Sequence, residues 1–218
     1  MYYAIIGDIV ASKKLSPERR REAQFAMQRA LEEINSIFEP DIAADFLITL
    51  GDEFQGLMLP SADPIRAALK IMHEMRPFEI RIAIALGGMT TSIRRDAAIG
   101  ADGPAFHMAR AMEESMKPRH GARLRAALND KQQEDTINAI AALCDRLCAG
   151  WTEKQERIAY EMLEAKLSGS RLTQTQLAQS LGIGQSTVNA QLAAAGFNEY
   201  MGGIMQMRRL LKCAQEEL

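Results

Sequence analysis

The order in which the hydrophobic period changes from Tyr2 to Gly88 constrains this chain more than any other feature. Tyr2 to Val10 is an almost unbroken apolar run, β-branched or aromatic at most positions and interrupted only at Gly7-Asp8, which reads as a central strand ending in a turn. Ser16-Pro17-Glu18 then supplies an N-cap, a proline at the first helical position and an early acid. Ala23, Met27, Ala30, Leu31, Ile34 and Phe38 follow at helical spacing until Pro40. Two short apolar runs, Ala44 to Leu50 and Phe54 to Leu59, flank Gly51-Asp52-Glu53 and predict a hairpin with an acidic tip. A helix from about Pro64 to Met75 comes next. Ile80, Ile82, Ile84 and Leu86, alternating with Arg81, Ala83 and Ala85, predict a fourth strand running into Gly87-Gly88. The order βαββαβ is that of split-βαβ, ferredoxin-like domains, so the expectation is an α+β unit whose antiparallel sheet carries helices on one face.

Asp102-Gly103-Pro104 predicts a helix through about Met116, Ala122 to Ala127 a short edge strand, and Lys131 to Ala149 a long helix. Gly150-Trp151-Thr152 marks a boundary, since Thr152 with Gln155 makes a capping box. The organisation expected is an α+β domain over 1–130, a connecting helix over 131–150 and an all-α domain over 151–218. Within the last, about 173–194 reads as a helix-turn-helix: two short helices around Gly182, with Leu177, Ala178, Leu181, Ile183, Val188 and Leu192 filling a small core.

Composition narrows the function classes. With 47% hydrophobic and 25% charged residues the chain is not disordered or fibrous. Lys plus Arg number 26 against 28 Asp plus Glu, a net charge of −2, so bulk charge argues neither for nucleic acid nor for a membrane surface. No apolar run approaches the roughly 18 residues of a membrane helix. Three cysteines, Cys144, Cys148 and Cys213, without Cys-x-x-Cys spacing or a signal segment, predict a reducing cytoplasm, and Cys144 and Cys148, four apart on a helix, predict packing roles rather than zinc.

The chemically loaded pairing is Asp8, at the end of the first strand, with Asp52 and Glu53 at the hairpin tip. In the expected sheet these elements are neighbours. Clustered carboxylates repel unless a cation lies between them, and hard oxygen ligands suit Mg²⁺ or Mn²⁺ held with phosphates, with Ile9 beside Asp8 completing the candidate metal set. Lys13 and Lys14, just after the strand, are candidates for phosphate, as are Arg81 and Arg95. The plainer alternative is that Asp8 and Asp52 only form turns.

These residues resemble a known group. Gly7-Asp8-Ile9-Val10 and Thr49-Leu50-Gly51-Asp52-Glu53-Phe54 look like the two metal-binding signatures of class III nucleotidyl cyclases, and Gly51-Asp52-Glu53-Phe54 is similar to the hairpin of GGDEF diguanylate cyclases. Ile80 to Gly88 and Asp102 to Arg110 fall, in order, where those cyclases have their fourth strand and nucleotide-contacting helix. The resemblance implies a palm fold over roughly the first 120 residues, nucleotide contacts at Gly51 and His107, and catalytic roles for Asp8, Asp52 and Arg110. Over the whole chain, "IIGDIV…SK" and "LGDEFQG" followed by a helix-turn-helix resemble the bacterial SatD-like family. Two positions depart from the cyclase pattern. Ile48 stands where ATP-selecting cyclases carry lysine, and aligning His107 with the usual asparagine puts Ala111 at the arginine position, leaving Arg110 about 100° around the helix. His73 and His120, like His107, lack neighbours that would make them metal ligands.

In the helix-turn-helix, Gln185, Ser186, Thr187, Asn189 and Gln191 are the candidates for base-edge contacts in double-stranded DNA, with Asn and Gln favouring adenine. Between Leu172 and Asn198 there is no charged residue at all, so phosphate contacts fall to Arg171, Arg208, Arg209 and Lys212 at its edges. The competing reading is a packing or dimerisation unit. The expectation is therefore a homodimeric DNA-binding regulator whose N-terminal domain senses a nucleotide or divalent metal. The alternative is a Mg²⁺- or Mn²⁺-dependent nucleotidyl or phosphoryl transfer enzyme with the helical region as a dimer scaffold, and a third option is a degenerate palm domain acting only in protein interaction.

Overall fold

A computed structural model describes residues 1–96, 98, 100–117 and 122–216. His120 lies outside the described residues. Five strands, β1 (Tyr2–Ile9), β2 (Ile42–Leu50), β3 (Glu53–Met58), β4 (Ile80–Gly87) and β5 (Leu124–Ala127), form one sheet in the order β2-β3-β1-β4-β5. The first four are antiparallel to their neighbours and β5 runs parallel to β4. β1 is central and buried on both faces, which is why its sequence shows no polar alternation.

Helices cover both faces of the sheet, not one as the order alone implied. α1 (Pro17–Ile37) and α2 (Pro64–Glu74) pack on the face that holds Tyr3, Ile5 and Ile9, using the stripe Ala23, Met27, Ala30, Leu31 and Ile34 on α1. α3 (Pro104–Met116) lays Ala105, Phe106 and Ala109 against Ala4 and Ile6 on the other. The cause is strand period: alternate residues of a doubly buried strand present apolar surface to each side, and each side needs a cover. Ser16 caps α1 with its hydroxyl accepting from the Arg19 N–H at 3.2 Å, as the sequence predicts. Gly56 is required by packing, since a Cβ there would stand 2.3 Å from the Phe46 ring.

α4 (Lys131–Cys148) packs on β5 and on α8 (Phe197–Glu216). Between them come α5 (Glu153–Ser168), α6 (Gln174–Leu181) and α7 (Gln185–Ala194). Thr152 with Gln155 and Thr173 with Gln176 form reciprocal capping boxes, and Gly182 ends α6 at φ 64°, where a Cβ would be strained. The helical region does not stand apart. A single apolar core runs from Tyr3 through Ile158 and Leu163 to Ala214. Ion pairs Arg66–Glu164 at 2.6 Å and Arg208–Asp63 at 2.6 Å stitch α2 to α5 and α8.

Candidate functional site

Strand register brings charged residues into one row at the end of β1. Asp8 lies opposite Glu53 on β3 and Arg81 on β4, and Arg123 precedes β5 beside Ile82. Because paired residues in a ladder share a face, Asp8, Glu53 and Arg81 all project toward α3. Asp8 and Arg81 are joined by two hydrogen bonds, Nε to Oδ1 at 2.9 Å and a terminal guanidinium nitrogen to Oδ2 at 2.5 Å. Their side chains are 8% and 15% exposed, so this is a largely desolvated, bidentate pair, and its hydrogen bonds hold the Arg81 guanidinium above its ordinary pKa.

Asp52 reaches the same place from the hairpin tip. Gly51 takes φ 47° there, the carbonyl of Asp52 accepts from the Ile9 N–H at 3.1 Å, and Oδ2 of Asp52 accepts from the Ser12 hydroxyl. Ser12 is held by Ala11, a non-glycine residue at φ 54°, a conformation that costs about 1 kcal/mol. That turn presents Lys13 and Lys14, both exposed and, among the described residues, in no ion pair.

Two residues that the sequence reading did not single out complete the acidic end. Glu113, on the buried side of α3 at 2% exposure, has Oε2 on Lys117 at 3.0 Å and leaves Oε1 without a hydrogen-bond partner among the described residues. Burial pushes its carboxyl up in pKa; Lys117 opposes that and the neighbouring Asp8 adds to it. The signal was available, because Ala105, Ala109 and Glu113 share one helical stripe and an acid on a core stripe is anomalous. Glu53 lies 3.8 Å from both Arg110 and Lys117.

These groups open into a cleft of about 980 Å3, lined by Asp8, Lys13, Lys14, Asp52, Glu53 and Arg81 at one end. Arg76, Arg123, Asp145, Cys148 and Trp151 line its other end, with Arg123 paired to Asp145 at 2.8 Å and Arg76 to Glu156. Trp151 belongs to two environments at once. It borders the cleft, while its indole N–H donates to the carbonyl of Ala195 at 2.7 Å, at the C-terminal end of α7, and its ring meets Tyr200 of α8 edge-on at 4.9 Å.

The role expected for Mg²⁺ or Mn²⁺, neutralising clustered acids, is taken in this arrangement by Arg81, Arg110 and Lys117. Both oxygens of Asp8 are committed to Arg81 and Asp52 offers only Oδ1, while Ile9 has no side-chain donor and could serve only through its carbonyl. Among the described residues no three His, Cys, Asp or Glu side chains are grouped to hold an ion. As it stands this donor set does not fit a two-metal centre.

Other candidates are placed elsewhere. His107 pairs with Asp102 at 2.7 Å on an exposed surface, and Gly51 binds Gln24 through its carbonyl; neither lines the cleft. Arg95 is tied to Asp45, Glu39 and the carbonyl of Ile42. On α7, Gln185, Ser186 and Asn189 are exposed, while Thr187 and Gln191 are half-buried. Arg208 is engaged by Asp63 against the start of α2, and Arg209 next to it is exposed.

The family model described as the SatD family matches residues 2–211. No curated protein matches the chain. Among solved structures, a bacterial light-regulated adenylyl cyclase aligns at 14% identity and TM-score 0.40, covering 57% of this chain and 42% of its own. The guanylyl cyclase Cya2 aligns at 15% identity and TM-score 0.35, covering 53% and 70% respectively. The chain thus spans less than half the length of the first. At these scores the fold assignment rests on strand order and register.

Proposed function

The chain belongs to the SatD family, and from that premise we propose that it is a ligand-responsive regulator that binds a nucleotide in the cleft and passes its occupancy to α6 and α7. The observation that carries this reading is Trp151, which borders the cleft and hydrogen-bonds the end of α7. A ligand that moves the indole must strain or release that bond. The cleft volume is at the upper end of the range for small-molecule sites. Lys13 and Lys14 supply unspent cations for phosphate, and Arg81 is a fork that a phosphate can share with Asp8. With the lysines at one end of the cleft and Trp151 at the other, phosphates would lie at the lysine end and the base toward Trp151.

Because the chain has one tryptophan, its emission reports the cleft directly. Titration with each nucleoside triphosphate, with and without Mg²⁺ or Mn²⁺, is expected to give a saturable change for at least one. The Lys13→Glu with Lys14→Glu variant weakens it by tenfold or more, since one charge-assisted contact is worth about 1.5 kcal/mol. No emission change and no thermal shift with any nucleotide overturns the reading.

The alternative reading, metal-dependent nucleotidyl or phosphoryl transfer in the same cleft, would require Asp8 to leave Arg81 so that it and Asp52 could face an ion. Metal-dependent release of phosphate or pyrophosphate that disappears in Asp8→Asn with Asp52→Asn selects it. For the output side, α7 presents Gln185, Ser186 and Asn189 on a helix that starts at Gly184 without a side-chain cap, leaving its first N–H groups open to a DNA phosphate. Anisotropy of labelled DNA from the gene's own upstream region is expected to rise with the wild type, as a homodimer, and to fall for Gln185→Ala with Asn189→Ala. Equal binding removes DNA from the proposal.

A further inference from the structure

At the other end of β1 from Asp8, Tyr3 borders a second cavity, of about 540 Å3, between the connection leading into α2 and the last turns of α8. Its polar floor is formed by Tyr3 and Asp63. The Tyr3 hydroxyl, pushed up to about 12 by burial and by Asp63 and so fully protonated, donates to the Leu211 carbonyl at 3.2 Å. Asp63 caps α2 through Oδ1, while its Oδ2 lies 2.6 Å from the Arg208 guanidinium as an ion pair without hydrogen-bond geometry. What remains open is apolar wall, chiefly Ala62, Ile65 and Met205, beneath two exposed cations on α8. Of these, Arg209 has no ion-pair partner among the described residues and Lys212 reaches only Glu216, at 3.8 Å.

Concave apolar surface with a few convergent charged groups is the general make-up of a small-molecule site, and the cavity volume falls inside the usual range. Three cations, Arg208, Arg209 and Lys212, face the single acid Asp63, so the lining carries a surplus of positive charge. Cationic and neutral ligands gain nothing from it. We infer that this cavity binds an organic anion with a compact apolar body, a carboxylate or sulfonate on an aromatic or short acyl frame, with its charge on Arg209 and Lys212 and its body against Ala62, Ile65 and Met205. The site is independent of the nucleotide cleft. Its walls come from both the sheet region and α8, so an occupant holds the two together.

The test uses 8-anilinonaphthalene-1-sulfonate on the full chain. Expected are one saturable site per chain, displacement by octanoate but not by octylamine, and at least a tenfold loss of affinity in Arg209→Glu with Lys212→Glu. Both residues are exposed, so that variant keeps the wild-type circular dichroism. Equal displacement by octylamine, or full binding in the charge-reversed variant, overturns the inference. Neither result bears on nucleotide binding at the cleft.

Discussion

Asp8 and Arg81 form the tightest electrostatic unit in the molecule's candidate site, and single substitutions read it directly. Removing Arg81 leaves a carboxylate at 8% exposure without its hydrogen-bonded counter-ion, a situation that costs about 3–5 kcal/mol, whereas removing both charges takes away the pair together. Arg81→Met is therefore expected to lose about 3 kcal/mol in urea unfolding, and Asp8→Asn with Arg81→Met to recover most of it. Equal losses in the two variants show that the pair is not coupled. The thiols give a second residue-scale prediction. Burial pushes Cys144 up to about 11 and Cys148 up to about 12, while Cys213 is exposed on α8. Because the thiolate is the reactive species, Ellman's reagent at pH 8 titrates one thiol in the native protein and all three after denaturation.

At the scale of elements, the contact between α2 and α5 includes a titratable ring. His73 stacks on Tyr160 with ring centroids 3.4 Å apart and planes 4° from parallel. Burial, the largest cause, holds the imidazole below its ordinary value; Lys70 and Arg76 push the same way, and Glu74 and Glu33 oppose them. A base whose pKa is lowered by folding binds fewer protons folded than unfolded. Its contribution is thus present above the unfolded pKa of about 6.5 and is lost as pH falls below it. The urea midpoint of the wild type is expected to drop between pH 7.5 and pH 5.5 by more than that of His73→Gln, and identical drops remove His73 from the account. The same contact explains why Arg66, Lys70 and Arg76 on or just after α2 are not free for ligands: Glu164, Glu33 with Glu74, and Glu156 hold them.

Over the whole molecule the sheet region and the helices from Thr152 onward share one apolar core. Two units of that kind unfold together, so Trp151 emission and far-ultraviolet circular dichroism are expected to give coincident thermal transitions; separated midpoints would show that the regions are independent folding units. Much of this architecture was legible in the chain. The βαββαβ order, the caps at Ser16, Thr152 and Thr173 and the turn at Gly182 follow from local period and backbone chemistry, which nearby residues set. The approach of Asp8 to Asp52 and Glu53 was legible too, because adjacent strands fix it. What lay beyond the sequence depends on partners far along the chain. Only tertiary packing gave Asp8 the Arg81 fork in place of an open metal face, and brought Glu113 under the acidic row. It also spent Arg208 on Asp63 and put Trp151 between the cleft and α7. Period and capping are decided within a few residues, so the sequence determined the elements and their order. Charge pairing falls off over a few ångströms, so only the folded chain decided which cations remain free.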